Sequence, residues 1–403
     1  HRRGRAHPVS IDPTELVRQR RARLEQVMAA HGVPALLTCD PITVRYATGT
    51  RNMLVHGLTG PDRLALVIAG GPTILWEFAG CEHLTADAPF VDSQRPAPGL
   101  SAKKTPDHAR EVAGFAAEVA AECGDHVPAA GPLAIERLDL PVTDALRSCG
   151  VDVADGMAVT QAAMAIKQPA EVTAMRSAMQ MTHQAATTLE AAIQPGASEQ
   201  EVWAQFHQAL IAGGGELVVT RLLQAGERTF PYFLEASCNR MHAGDLVCFD
   251  SDAVAAGGYS VDFSRTFLCG DQPATSTQHH LYGLALEQLE HNASNLGPGV
   301  PFEEFARRAF EVSEPYARYG YYQLAHGLGM AGGHPNVPRI DADRPYPLPG
   351  AIEAGMVLCV ESYIGDPASK QGIKLENQYL IRDDSVEQMS TYPLDDRLMR
   401  PPR

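Results

Sequence analysis

Five acids sit within or at the ends of apolar, strand-like runs, and this constrains the chain's fold more than any other feature. "LVCFDSD" carries Asp250 and Asp252, "YSVDF" carries Asp262, "MVLCVES" carries Glu361 and "IKLEN" carries Glu376. Residues two apart on a strand point to the same face. Asp250 and Asp252 therefore read as a pair. "AAGG" supplies a turn that brings Asp262 back on the partner strand of a hairpin. An unpaired carboxylate buried there would cost roughly several kcal/mol, offset only by protonation, a cationic partner or a metal. A single Asp beside a hairpin turn would simply face water. Here "LVCF" and "VD" read as buried flanks, and Glu361 and Glu376 repeat the arrangement further along. Two acid-bearing halves facing one another form a site for divalent metal. Hard oxygen donors with one imidazole suit Mn, Fe, Co or Zn. The imidazole candidate is His326 in "AHGLGM", at a glycine-rich break where backbones can approach closely. Alone, such a histidine is more often a hydrogen-bonded core residue; beside convergent acids it reads as a ligand.

The order of elements supports two halves. The chain up to about residue 160 alternates helix and strand signals. "PTELVRQRRARLEQVMAAHG" and "DHAREVAGFAAEVAAECG" have helical periodicity, and "PALLTCD", "TVRYATG", "RLALVIAGG", "PTILWEF" and "LAIERL" read as strands. This predicts a smaller α/β domain over 1–160 and a second domain over 161–403. The second domain opens with "MAIKQPAEVTAMR", where Pro169 fits the first turn of a long helix. "IQPGASEQEVWAQFHQALIAGGGE" and "LGPGVPFEEFARRAFEVSEPYARYG" then share one plan: a long helix ending at Pro-Gly, an acidic start, a second amphipathic helix and a closing Gly. Ser198 and Glu201 form a capping box in the first copy. Strands follow each copy: "VVTRLLQAG" and "DLVCFDSD" after the first, "VLCVESYIG" and "KLENQYLI" after the second. The expected fold is α+β and pseudo-twofold, with the site between the halves.

Charge and cysteine usage exclude other classes. A net charge of −15 argues against a nucleic-acid partner, because phosphate binding needs a basic face. No apolar run approaches ~18 residues, so no membrane span is expected. The opening "HRRGRAHPVS" lacks an apolar core and is not expected to be a secretory signal. The eight cysteines are scattered with no CxxC pair, which fits reduced, buried thiols in a cytoplasmic protein.

The ordered set Asp250, Asp262, His326, Glu361 and Glu376, with "IKQPAEVTAMR" ahead of it, resembles the pita-bread metalloenzymes. These include methionine aminopeptidase, prolidase, aminopeptidase P and creatinase. The resemblance covers the whole chain. It implies a creatinase-type N-terminal domain, two divalent ions, a homodimer and a small-molecule substrate. Within the superfamily, "DPITVRYATGTRNM", "TRLLQAGERTFPYF", "FDSD" with Asp252 as an added acid, "CVESYIG" and "IKLENQYLI" are most similar to the dimethylsulfoniopropionate (DMSP) lyases of this fold. Peptidases of the superfamily usually have a small residue at position 252. They also carry a substrate-binding His where this chain reads "FPYF".

The resemblance implies metal ligands at Asp250, Asp252, Asp262, His326, Glu361 and Glu376. It also implies C–S cleavage of a zwitterion to dimethyl sulfide and acrylate, with Tyr321 in a binding role. A sulfonium head favours aromatic faces; Tyr232, Phe233, Tyr321 and Tyr322 are the candidate contacts, and of these Phe233 reads rather as core. The DMSP lyases carry an Asp, proposed as the base, where this chain has Gly332. His334 lies two residues on and is the substitute expected to act with Glu361 and Tyr321. The alternative is an Xaa-Pro peptidase-like or creatinase-like C–N hydrolase, with Glu361 as proton shuttle near a metal-activated water. A metal-free binding protein of this fold ranks last, since none of the five ligands is lost.

Overall fold

Local chemistry sets the N-terminal elements. The computed structural model describes residues 12–58, 60–127, 131–341 and 343–399, and the opening "HRRGRAHPVS" lies outside them. One compact unit runs to Met164 and the other begins at Ala165. In the first, Asp12 caps helix α1 (Pro13–Ala30), and strand β1 (Ala35–Thr38) follows. The next segment corrects the strand expected at "TVRYATG". Asp40 accepts from the backbone N–H groups of Ile42 and Thr43 at 2.9 and 3.0 Å, Pro41 occupies the first turn, and the chain forms α2 (Pro41–Thr48). An Asp-Pro cap outweighs the strand preference of Thr, Val and Tyr. Strands β2 (Leu64–Ile68), β3 (Thr73–Glu77), β4 (Ser93–Pro96), β5 (Leu133–Glu136) and β6 (Val153–Asp155) complete a mixed sheet, ordered β4-β3-β2-β1-β5-β6. Helix α3 (His108–His126) packs Val112, Phe115 and Val119 into its core.

The second unit follows the repeated plan. Helix α4 (Pro169–Ala192) starts at Pro169, and α5 (Glu199–Ala212) starts at the reciprocal Ser198/Glu201 capping box. The strand signal in "VVTRLLQAG" resolves into two short pieces, β7 (Leu217–Val218) and β8 (Leu223–Ala225), with Thr220 between them. Then come β9 (Leu246–Asp250), β10 (Ala253–Val254), β11 (Ser260–Val261) and β12 (Ser264–Leu268). β12 pairs antiparallel with β9, with Ser264 opposite Asp250.

The second copy has α6 (Ser276–Ser294) and α7 (Phe302–Arg307), then β13 (Gln323–Leu328), β14 (Gly332–Pro338), β15 (Val357–Asp366), β16 (Gln371–Ile381) and β17 (Val386–Gln388). Helix α7 is much shorter than the expected "FEEFARRAFEVSEPYARYG". The Asn292 side chain takes the Phe310 N–H at 2.8 Å and diverts the chain, and Pro315 has no N–H with which to resume a helix.

Strand period two then sorts the long hairpin β15–β16. Leu358, Val360 and Ile364, with Ile373 and Leu375, join Leu281, Ala285 and Leu289 of α6 in one apolar core. Ser362 shares that face and donates to the Ala285 carbonyl at 2.9 Å. Cys359, Glu361, Lys374 and Glu376 fall on the opposite face, and Glu361 pairs directly with Glu376. Lys374 N–H donates to Thr266 Oγ1 at 3.0 Å, and that hydroxyl donates to the Lys374 carbonyl at 2.9 Å, tying β12 to β16.

Candidate metal centre

The acid-bearing strands meet around one imidazole. His326 Nε2 lies 3.2 Å from Glu361 Oε1, 3.4 Å from Glu376 Oε1 and 3.5 Å from Asp262 Oδ2. Its position depends on Gly327, where a Cβ would come within 2.2 Å of the His334 carbonyl oxygen. One potential ligand atom from each of Asp262, His326, Cys359 and Glu376 lies within 4.8 Å of all the others. Asp250 joins from β9. Its Oδ2 accepts from Tyr232 Oη at 2.7 Å and is 3.8 Å from Lys374 Nζ.

Asp252 departs from the simple hairpin. Strand β9 stops at Asp250, and Asp252 has φ +34°, so the two do not share a strand face as expected. Asp252 instead accepts a hydrogen bond from Thr220, the residue left between the two short strands. Burial, then Asp250, pushes its carboxyl up to about 7.

Lys374 is the cation that the sequence reading missed. Its Nζ donates to Glu376 Oε2 and Ser264 Oγ at 2.9 Å each and also to Glu361 Oε2. Burial opposes its charge, yet Glu361, Glu376 and Asp250 hold its pKa well above the ordinary lysine value. Burial would raise Glu361, but Lys374 and His326 outweigh it and lower its pKa. Burial likewise works against His326 protonation, and Glu361 and Glu376 overcome it. Asp262 is pushed well up by burial, then by Glu376 and Asp252. Cys359 is raised by burial, then by Asp262 and Glu376. Lys374 precedes Glu376 by two and Cys359 precedes Glu361 by two, so the same periodicity that flagged the acids could have found both. Gln323, which donates to Glu361 Oε1 at 3.4 Å, carried no such signal.

The set fits divalent cations. Asp250 Oδ1, Asp262 Oδ1 and Glu376 Oε1 are buried with no hydrogen-bond partner. Such oxygens are costly unless a cation faces them. With the ligands deprotonated, as metal binding requires, five carboxylates (Asp250, Asp252, Asp262, Glu361 and Glu376) against the Lys374 ammonium and a neutral His326 leave four negative charges, which two divalent ions would balance.

An aromatic wall adjoins the acids. The Tyr321 and Tyr232 ring centroids lie 5.1 and 5.6 Å from Lys374 Nζ. Tyr322 packs on Tyr321 at 4.8 Å and is exposed. Phe233, expected in the core, is 52% exposed. A core role fails because the residue sits at the surface against Tyr232 and Tyr321. His334 is half-buried with its ring edge-on to Phe302 at 5.9 Å, and the charges acting on it are Glu353 and Lys167 rather than the acid cluster. Gly332 is exposed, and a Cβ built there meets nothing within 4 Å.

This geometry agrees with the comparisons. The profile of metallopeptidase family M24 matches residues 173–383, spanning the acids and His326. The chain belongs to metallopeptidase family M24. It is 32% identical over 406 aligned residues to the dimethylsulfoniopropionate lyase DddP of Roseobacter denitrificans, covering 98% of this chain and 90% of that protein. It is 23% identical to the probable dipeptidase PepE of Mycobacterium tuberculosis, covering 94% of this chain and 96% of that protein. Among solved structures, the Xaa-Pro dipeptidase from Bacillus anthracis superposes with a TM-score of 0.74 at 19% identity, covering 94% of this chain and 99% of that one. The dipeptidase PepE from Mycobacterium ulcerans gives 0.75 at 20% identity, covering 96% and 98%. The fold is therefore the pita-bread fold with a domain in front, and the chain is an enzyme of that superfamily. Among the described residues, no helix is long and apolar enough to cross a membrane.

Proposed function

We propose that the chain is a metal-dependent C–S lyase acting on a small sulfonium zwitterion of the DMSP type. The observation that carries this reading is the pairing of a buried carboxylate–imidazole cluster with Tyr232 and Tyr321, whose rings already face a cation. Rings at that range attract onium heads, while a cluster able to hold metal suits the carboxylate end. The similarity to DddP supports the same substrate class. The proposed ligands are Asp250, Asp252, Asp262, His326, Glu361 and Glu376 for two divalent ions. Bound ions would supply the positive charge that fixes the substrate carboxylate and acidifies the adjoining C–H.

In the elimination, the α-proton passes to a base, its electron pair forms the C=C bond of acrylate, and the C–S bond breaks to release dimethyl sulfide. Tyr232 and Tyr321 hold the sulfonium head, with exposed Tyr322 extending the wall. Glu361, held by Lys374 and close to His326, is the acid that would serve the proton transfer from the cluster. His334 is the proposed base, and its ring lies edge-on to Phe302 in the structure. With Gly332 at the position of the DMSP lyases' proposed base, the wild-type chain is expected to be a slow lyase.

The test is dimethyl sulfide release from DMSP by metal-loaded protein, run beside Gly332→Asp and His334→Ala. A Cβ added at Gly332 meets nothing within 4 Å, so the first atom of an Asp side chain meets no clash there. A clear rate gain in G332D supports the reading, and no sulfide from either wild type or G332D removes it. One observation favours a second reading: Gly332 has no side chain to act as base, and C–N hydrolysis by a metal-activated water requires none at that position. A panel of Xaa-Pro dipeptides and creatine, assayed alongside, distinguishes it. The homodimer, proposed from the family resemblance, is tested by light scattering.

A further inference from the structure

We infer that Phe233 is a specificity-determining residue of the site, an outer ring of a subsite selecting a methylated onium head over a neutral head of the same shape. This rests on the zwitterion reading above and extends it to a residue that reading does not include. Phe233 has φ +76°, a conformation bulky L residues rarely adopt. Such strain persists where surrounding structure over-determines it, and it concentrates at ligand sites. Burial does not compensate here, because the residue is 52% exposed. Its ring contacts are instead the two rings of the site wall, Tyr232 at 4.7 Å and Tyr321 at 5.3 Å. Those rings stand 5.6 and 5.1 Å from the Lys374 ammonium, and Tyr232 is anchored through its hydroxyl to Asp250 at 2.7 Å. Phe233 thus continues outward a wall whose inner members already face positive charge.

The chemistry follows from what an onium head lacks. Trimethylammonium and dimethylsulfonium groups have no N–H or O–H to donate, so a carboxylate cannot hold them through a hydrogen bond. Their diffuse charge is instead stabilised by ring faces. Neither a neutral alkyl head nor a peptide amide gains that term, so each further ring raises the preference for onium.

The test uses two unreactive carboxylates of matched shape, 3-(trimethylammonio)propanoate and its neutral-headed isostere 4,4-dimethylpentanoate. Their dissociation constants are measured by calorimetry on metal-loaded protein. Wild type is expected to prefer the cationic probe. F233L keeps apolar bulk but loses the ring face, and should cut that preference by about two- to thirty-fold, the span of cation–π contacts. F233Y should keep it, and equal metal content in all three proteins shows that the centre is undisturbed. If F233L retains the wild-type preference, or if F233Y loses it as F233L does, the role of Phe233 is overturned while the onium reading stands. If wild type itself does not prefer the onium, that reading fails and the inference with it.

Discussion

Replacing Lys374 with Met should make the metal-free protein less stable and its metal binding tighter. The Lys374 side chain is 1% exposed and lies 2.9 Å from Glu376 Oε2 and 3.8 Å from Asp250 Oδ2, with Glu361 also in contact. Methionine keeps the length of the chain but removes the only ammonium hydrogen-bonded to Glu361 and Glu376 among the described residues. Breaking a buried pair from one side costs about 3–5 kcal/mol, because the partner charges stay buried and uncompensated. Urea unfolding in EDTA should show that loss. The effect on metal has the opposite sign. Two unit charges ~4 Å apart at an effective dielectric near 20 repel by about 4 kcal/mol. Removing the ammonium should therefore tighten a neighbouring divalent ion at least about tenfold, or ~1.4 kcal/mol. Competition against a fluorescent chelator measures it. Unchanged stability in EDTA, or weaker metal binding by K374M, would refute the placement of this ammonium among the acids.

Other expectations concern parts of the fold away from the centre. Burial, then Arg265, lowers His183 to about 4, whereas an unfolded histidine titrates near ~6.5. Between those values the unfolded chain binds a proton that the folded one refuses. Stability attributable to His183 should thus fall as pH drops through this window, and H183Q melts should lack that share of the acid loss. In the N-terminal unit, Arg63 Nε is 2.8 Å from Glu77 Oε2, and both side chains are buried. R63A should cost that unit about 3–5 kcal/mol, read from Trp76 emission in a W203F background, since the chain has two tryptophans. S198A removes the side-chain acceptor for the Glu201 N–H and should cost ~1 kcal/mol in denaturant unfolding followed by Trp203.

Much of the site was legible because strand periodicity is strict. Acids interrupting apolar runs had to face something other than oil, and Asp262, His326, Glu361 and Glu376 do converge. The same rule would have revealed Lys374 and Cys359 had it been applied to every residue on those faces rather than to acids alone. The rule misplaced Asp252 because it assumes an unbroken strand, and the chain turns to φ +34° there. "TVRYATG" was misread because side-chain propensity was given more weight than the Asp40–Pro41 cap. Phe233 stood among the aromatic candidates, but the core reading prevailed there because nothing in "FPYF" announces a positive φ or an exposed ring. The Gln323–Glu361 contact and the edge-on packing of His334 against Phe302 depend on how distant segments pack, which no local pattern encodes.

Anomalous diffraction from crystals of the metal-loaded protein, collected at the absorption edge of the bound metal, tests the central claim most directly. The account predicts density within about 2.0–2.6 Å of His326 Nε2 and of carboxylate oxygens from Asp262 and Glu376. Strong peaks elsewhere, or none with these side chains ordered as described, would contradict it.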